Sequence, residues 1–370
     1  MNLSRTGEAT LLLVATLTIM VGATVAPGLQ SIAPALGVAA YAPLLITLPA
    51  LGAIIFAPLA GKLIDNIGAR PTLILCLAGY FLAGTGAIFL HGPWPVAADR
   101  IILGGFAAGS MAAGTALISQ WYVGNARLKM IAKQGMAIEL GGVFVLFLGG
   151  ILAEFNWRGP FALYAVALLS LLLLLCFVPA TAPAPQHSDE SAPTATPSMR
   201  PVVIFATTSM ALFFSMFILL PGVMAQVGYS ESQTGYLLSF ISLVAVFAAM
   251  LMPKVVATSN ANSTLMLAFA SYAVALIGFG LTATPLGLAI AAIFAGVGFG
   301  FSIPLLNHAA VERSTDHTRG RNLAWFAMAV FLGQFATSAL EFVPLSPQLT
   351  LMCCAAMAAI CALWVRRATL

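Results

Sequence analysis

The sequence predicts an all-α polytopic membrane protein, with twelve transmembrane helices arranged as two six-helix bundles. Three observations lead there. Of 370 residues, 61% are hydrophobic and only 7% charged, with a mean hydropathy of +1.02. A water-soluble globule carries about 25% charged residues, so most of this chain is not built to face water. Apolar stretches recur along its whole length, many near the roughly 20 residues a helix needs to cross a bilayer. Finally, one segment of contrasting composition, "TAPAPQHSDESAPTATPSM", divides those stretches six and six. It is rich in Pro, Ser, Thr and Ala without apolar periodicity, and reads as a flexible linker. The expected organisation is a bundle over 1–180, a cytoplasmic linker over 181–200 and a second bundle over 201–370.

Helices are expected near 9–33, 42–62, 72–91, 95–121, 133–154, 160–180, 201–227, 233–254, 264–283, 285–309, 321–343 and 347–366. The first, "EATLLLVATLTIMVGATVA", has a signal-peptide flavour. Its apolar run is longer than a typical signal core, however, and eleven similar segments follow, so it is read as the first span. Continuous apolar runs, in place of alternating ten-residue segments, exclude a β-barrel. The connections are too short for a sizeable soluble domain.

Positive charge orients the chain. With the N-terminus cytoplasmic and the helices alternating, 15 Lys and Arg residues all fall on the inner side except Arg100 and Arg158. Both termini are then cytoplasmic. The net charge of +4 reports this topology and gives no support to nucleic-acid binding, which needs a clustered basic surface. The five cysteines, Cys76, Cys176, Cys353, Cys354 and Cys361, sit in apolar segments at no metal-ligand spacing and read as small packing residues. Neither a metal nor a cofactor is expected.

Scarce charge collects in "GKLIDNIGARP", between the second and third apolar runs. Gly61 would allow close helix contact and Gly68 a tight turn. Asp65 can accept hydrogen bonds at a helix N-terminus, where the dipole favours an anion. The stretch resembles the loop motif of the major facilitator superfamily, G-x-L-x-D-x-x-G-R-[RK], with Gly61, Leu63, Asp65, Gly68 and Arg70 in matching positions and Asn66 and Ala69 where a basic residue is common. The resemblance implies that Asp65 docks on the start of the eleventh helix, near Gly320–Arg321–Asn322, and latches the two halves when the transporter opens outward. It also implies an acid near the inner end of the fourth helix for Arg70, but none lies between Arg100 and Glu139.

A second match is "RIILGGFAAG", which resembles the fourth-helix motif of proton-coupled members. Arg100 and Gly104 share a helix face. Gly104 would let a neighbouring helix approach, and Gly105 and Gly109 extend a small-residue stripe echoed by Gly296 and Gly300. The resemblance places Arg100 at the central cavity; the alternative is that it lies near the outer end of its helix and snorkels to the headgroups. Asp99 is adjacent but points roughly 100° away, so the two are not expected simply to neutralise each other. In the fifth helix Gly149–Gly150 match the end of the antiporters' glycine–proline motif, while Val145–Leu146 replace the Gly–Pro.

An ionisable group at membrane depth is costly unless it meets a cavity or a partner. Glu139, with Gly135 and Gly142 on neighbouring turns, reads either as a proton carrier or as a fixed hydrogen-bonding group, and Asp99 is the second candidate. Gln334, Asn307 and Gln30 are candidate cavity polars, each explained almost as well by a hydrogen bond between helices. No phosphate-binding G-x-x-x-x-G-K-[ST] loop, metalloprotease motif or nucleophile elbow is present, so neither an ATP-driven pump nor an enzyme is expected. What remains is a secondary transporter resembling the drug:proton antiporter branch. It would move a small amphipathic organic solute by alternating access, with proton-coupled efflux. The alternative is a metabolite carrier for a siderophore or organic anion. The expected partners are the lipid bilayer, a small-molecule solute and protons. The chain is expected to work as a monomer in a bacterial cytoplasmic (inner) membrane.

Overall fold

The computed structural model describes residues 3–122, 124–179, 198–314 and 319–367. Among the described residues twelve helices are long and apolar enough to cross a membrane, and no strand occurs. They are α1 Arg5–Ala23, α2 Leu44–Ile67, α3 Ala69–Phe89, α4 Pro93–Trp121, α5 Lys129–Phe155 and α6 Gly159–Phe177, followed by α7 Arg200–Gln226, α8 Glu231–Thr258, α9 Ala261–Leu281, α10 Pro285–Glu312, α11 Asn322–Leu340 and α12 Pro347–Val365. Bulky apolar side chains point outward along them, Met250 at 61% and Ile360 at 65% exposed among them. A water-soluble surface does not carry such a face; hydrocarbon must cover it. Of the cysteines, Cys176 and Cys353 lie on that exposed side, and only Cys76, Cys354 and Cys361 are packed inside as expected.

The helix starts follow local chemistry. Ser4, Asn260, Thr284 and Ser346 each accept a hydrogen bond from a backbone N–H three residues on. Pro285 and Pro347 then supply a first residue whose missing N–H costs nothing. The expected first helix over 9–33 is in fact interrupted. α1 ends at Ala23, because Pro27 has no N–H to donate to that carbonyl and its ring crowds it. A separate seven-residue helix, Leu29–Ala35, follows before Gly37 turns the chain at φ +71°.

Two compact units divide the chain: α1 to α6 with the opening residues of α8, Glu231–Tyr236, and α7 with the rest of α8 and α9 to α12. The linker expected at 181–200 lies, up to residue 197, outside the described residues. Inside each unit the same pairings recur six helices on. α1 packs on α5 and α3 on α4 in the first unit; α7 packs on α11 and α9 on α10 in the second. The sequences repeat as well. Over their first twelve residues α3 and α9 share Ala69/Ala261, Thr72/Thr264, Leu73/Leu265, Leu75/Leu267, Ala78/Ala270 and Tyr80/Tyr272.

Candidate functional site

Among the described residues the fourth helix carries the most heavily buried charge. Arg100 is 1% exposed, and its Nε and Nη2 both donate to Asp99 Oδ2, at 3.0 and 2.6 Å. The expectation that these neighbours would not neutralise each other is therefore overturned. Their Cβ directions diverge, but the long arginine stem folds the guanidinium back across the carboxylate. Nη1 donates to the Tyr164 hydroxyl at 3.3 Å, and that hydroxyl donates to the Val21 carbonyl at 2.9 Å. The rings of Phe161 and Tyr164 lie 5.8 and 5.7 Å from the guanidinium carbon, within cation–π range. Tyr80, edge-on to Tyr164 at 5.8 Å, donates to the Leu17 carbonyl at 2.8 Å. The Arg100 group thus ties α4 to α6 and to α1 just before its break. The side chain does not extend away from the bundle to snorkel: at 1% exposure it is folded inward onto Asp99 and Tyr164.

Glycines bring α4 to this position. A Cβ on Gly104 would land on the Pro49 carbonyl of α2, and one on Gly52 of α2 would land on the Ile101 carbonyl of α4. The two backbones cross in contact, as the small-residue stripe predicts. The echo in the second unit is real too. A Cβ on Gly296 would stand 2.7 Å from the Ile241 carbonyl of α8, and Gly300 abuts Ala245 and Ala248. In α5, Gly149 faces the Thr24 carbonyl and Gly150 faces Gly235 in the same unit.

The charged stretch after α2 is more helical than expected. Gly61 to Ile67 continue α2, and a single residue, Gly68 at φ +90°, separates it from α3. That angle is the one where a side chain is strained. Gly61 has no neighbour that a Cβ would meet within 4 Å, so its expected role in close helix contact is corrected. Asp65 is exposed in the last turns of α2, not at a helix N-terminus, and makes no hydrogen bond among the described residues. Of its expected dock, Gly320 and Arg321 are described in their backbone alone, and Asn322 is buried and donates to Ser314 Oγ at 2.9 Å. Arg70 does find a partner, though not an acid: its Nε donates at 2.9 Å to the carbonyl of Val178, which closes α6. A cation at a helix C-terminus is favoured by the aligned peptide dipoles.

The candidate carboxylate Glu139 is half-buried on α5 and has no hydrogen-bond or ion-pair partner among the described residues. On its face of the helix, Gly135 opens onto empty space and Gly142 rests on Ile19 of α1. Gln334 is buried on α11, 8% exposed. Asn307 is exposed and interior to α10, which runs five residues beyond it to Glu312. Gln30 is exposed on the short helix after α1 and so does not sit at the end of α1 itself. These three polars are scattered over three helices, whereas Asp99 and Arg100 are joined.

A twelve-span chain, doubled six and six, with the Gly68–Arg70 turn after its second span, invites direct comparison with known proteins. The sequence pattern of the Major Facilitator Superfamily matches residues 11–338. The chain belongs to that superfamily. Its bovine relative "Major facilitator superfamily domain-containing protein 10" (Bos taurus) is 32% identical over 160 residues, 43% of this chain and 33% of the relative. The human protein of the same name is 32% identical over 130 residues, 34% of this chain and 27% of the relative. The chain therefore spans about a third of the length of the curated relatives it matches. Among solved structures it is similar to the nucleoside transporter NupG, with a TM-score of 0.73 at 13% identity, covering 98% of each chain. It is also similar to the human organic anion transporter MFSD10, with a TM-score of 0.69 at 17% identity, covering 98% of this chain and 99% of that one. The protein is thus a multi-pass membrane protein of this superfamily.

Two polar sites of this superfamily member escaped the sequence reading. Glu8 at the start of α1 accepts from the Tyr122 hydroxyl at 2.7 Å and stands 3.6 Å from Lys133 Nζ, gathering α1, α4 and α5 at one end of the bundle. Burial first, and the Glu8 carboxylate second, hold the Tyr122 phenol above its ordinary range, which keeps it a donor. Gln134, 2% exposed, pairs with Thr115 across α4 and α5 at 3.1 Å. Its position five residues before Glu139 on an apolar helix was the available signal.

Proposed function

We propose that this transporter carries a small amphipathic organic solute out of the cell by proton-coupled alternating access, with Glu139 as the group that takes up and releases the proton. Two six-helix bundles joined by residues 181–200 rock about a midplane site, with both termini on the inner face of the cytoplasmic membrane. The observation that carries this reading is the isolation of Glu139: a half-buried carboxylate inside a span, with no cation or hydrogen-bond donor among the described residues to hold it ionised. A structural carboxylate at that depth is paired; an unpaired one is free to exchange its proton as its surroundings change. Asp99, locked to Arg100, is the poorer carrier.

The second reading, an organic-anion carrier, is favoured by the similarity to the organic anion transporter MFSD10. The pairing of Arg100 with Asp99 weighs against Arg100 as its anion contact, since the cation is already neutralised. Transport by the full chain in proteoliposomes tests both readings. Under an imposed pH gradient, Glu139→Gln should abolish gradient-driven flux of an amphipathic dye while leaving downhill exchange. Gradient-driven flux that survives both Glu139→Gln and Asp99→Asn removes the two acids as carriers. Flux confined to organic anions selects the alternative.

A further inference from the structure

The buried Arg100 group forms part of the wall of a hollow that the transport reading leaves unused. The starts of α2 and α4 and the segment before α2 enclose about 310 Å³, lined by Val38, Leu44, Leu45, Leu48, Val96 and Ala97, with Arg100 as the one charged residue on its wall among the described residues. Tyr41 and Trp94, 45% and 84% exposed, frame its mouth. Aromatic side chains placed just before one span and in the first turn of another, one end open and one end apolar, are the pattern of an interfacial belt.

The chemistry of the wall selects an occupant. An arginine offers five N–H donors, and three are used here, two on Asp99 Oδ2 and one on Tyr164. Two Nη hydrogens are left without an acceptor among the described residues. The ion pair with Asp99 cancels the charge, so the wall asks for a neutral acceptor with an apolar body, not for an anion. Arg100 lies six residues below Trp94 on the same helix, about 9 Å along its axis. The polar layer of a bilayer leaflet is roughly 5–8 Å deep. That places the guanidinium at the level where lipid ester groups meet hydrocarbon.

We propose that this hollow holds one acyl chain of a bilayer glycerophospholipid, with the ester carbonyl of that chain accepting from Arg100. The lipid then covers the apolar wall and completes the guanidinium's hydrogen bonds from outside the bundle. It seats α2 against α4 at the glycine crossing without entering the transport path.

The test is photolabelling of the full-length protein in nanodiscs with a phosphatidylcholine that carries a diazirine near the ester. Label should concentrate on peptides covering 38–48 and 93–100. It should disappear from them in Ala97→Phe, which fills the hollow, while label on the lipid-facing stretch around Phe247 and Met250 stays constant. Val38→Phe closes the hollow from the segment before α2 and serves as the second variant should Ala97→Phe not fold; the melting temperature reports which variants have folded. Label spread evenly over all spans, or unchanged in a folded, filled variant, overturns the proposal. So does label that is competed away by the transported dye, which would make the hollow a solute site. Loss of gradient-driven flux in Glu139→Gln with this labelling intact separates the proposal from the transport reading.

Discussion

The third helices of the two halves carry the same residues and do the same work with different chemistry. Tyr80 and Tyr272 occupy the twelfth place of α3 and α9. Tyr80 donates to the Leu17 carbonyl of α1, and Tyr272 bonds at 3.2 Å to Ser209 of α7, the helix six places on from α1. Thr72 and Thr264 each fold back on the carbonyl four residues earlier, at 2.8 and 2.9 Å. Arg70 closes the end of α6 through the Val178 carbonyl, and Asn262, its counterpart, reaches the Val365 carbonyl at the end of α12 at 3.4 Å. The halves part company around those tyrosines. In the first unit the tyrosine meets Tyr164, whose hydroxyl accepts from Arg100 of the Asp99–Arg100 pair. In the second, Ser209 also lies 2.6 Å from Ser302, completing a neutral hydroxyl trio with Tyr272. The positions that match Asp99 and Arg100, on the register that pairs Gly104 with Gly296, are Ala291 and Ala292. One scaffold, duplicated, carries a buried ion pair in one half and two alanines at the matching positions in the other.

The largest expected effect comes from breaking the charged version. Arg100→Ala strands Asp99 in a buried site, and removal of one partner of a buried pair costs about 3–5 kcal/mol. Loss of folded protein on size-exclusion after heating would register it. Asp99→Asn combined with Arg100→Met should restore much of the loss, and failure to do so would mean the pair matters for more than mutual compensation. Next come the crossings the halves share. Gly104→Ala and Gly296→Ala drive a methyl into a facing carbonyl, and overpacking of this kind costs about 1–3 kcal/mol. Similar drops in melting temperature for both would support equivalent crossings; a neutral Gly296→Ala would break that part of the symmetry.

The neutral version should be cheaper to damage. Ser302→Ala removes one hydroxyl from the trio, and interhelical hydrogen bonds in membranes average about 0.6 kcal/mol. A loss as large as that of Arg100→Ala would show that the hydroxyl trio holds its half as firmly as the ion pair holds the other. Smallest of all is Gly61→Ala. With open space at that position and helical backbone around it, alanine should be neutral or add about 0.5–1 kcal/mol of stability. Any marked loss of transport in a folded Gly61→Ala protein would then point to a contact made in another state of the cycle.

The spans were legible because crossing a bilayer is a local demand. Each helix needs its own run of apolar residues, and eleven of the twelve fall close to where the runs lie. α1 was drawn too long because apolar composition continues past Ala23, while the break depends on one proline. The Gly104 crossing was legible too, since a glycine stripe on a helix has few other uses. The partner of Arg70 was not: a backbone carbonyl at the end of α6 leaves no mark in side-chain identity. The equivalence of α3 and α9 shows only faintly in the sequence, where "GKLIDNIGARPTL" stands in the position of "MPKVVATSNANSTL", and the structure carries it on to Tyr80 and Tyr272.

The amino-acid order alone determined how many times this chain crosses the membrane, which superfamily it joins and where its one tight positive-φ turn between α2 and α3 falls, because each depends on neighbours a few positions away. Only the folded bundle decided that Arg100 is held by Asp99, Tyr164 and the Phe161 ring while Glu139 has no partner among the described residues. A long charged side chain chooses among everything within its reach, and what lies within reach is set by the packing of helices far apart in the chain.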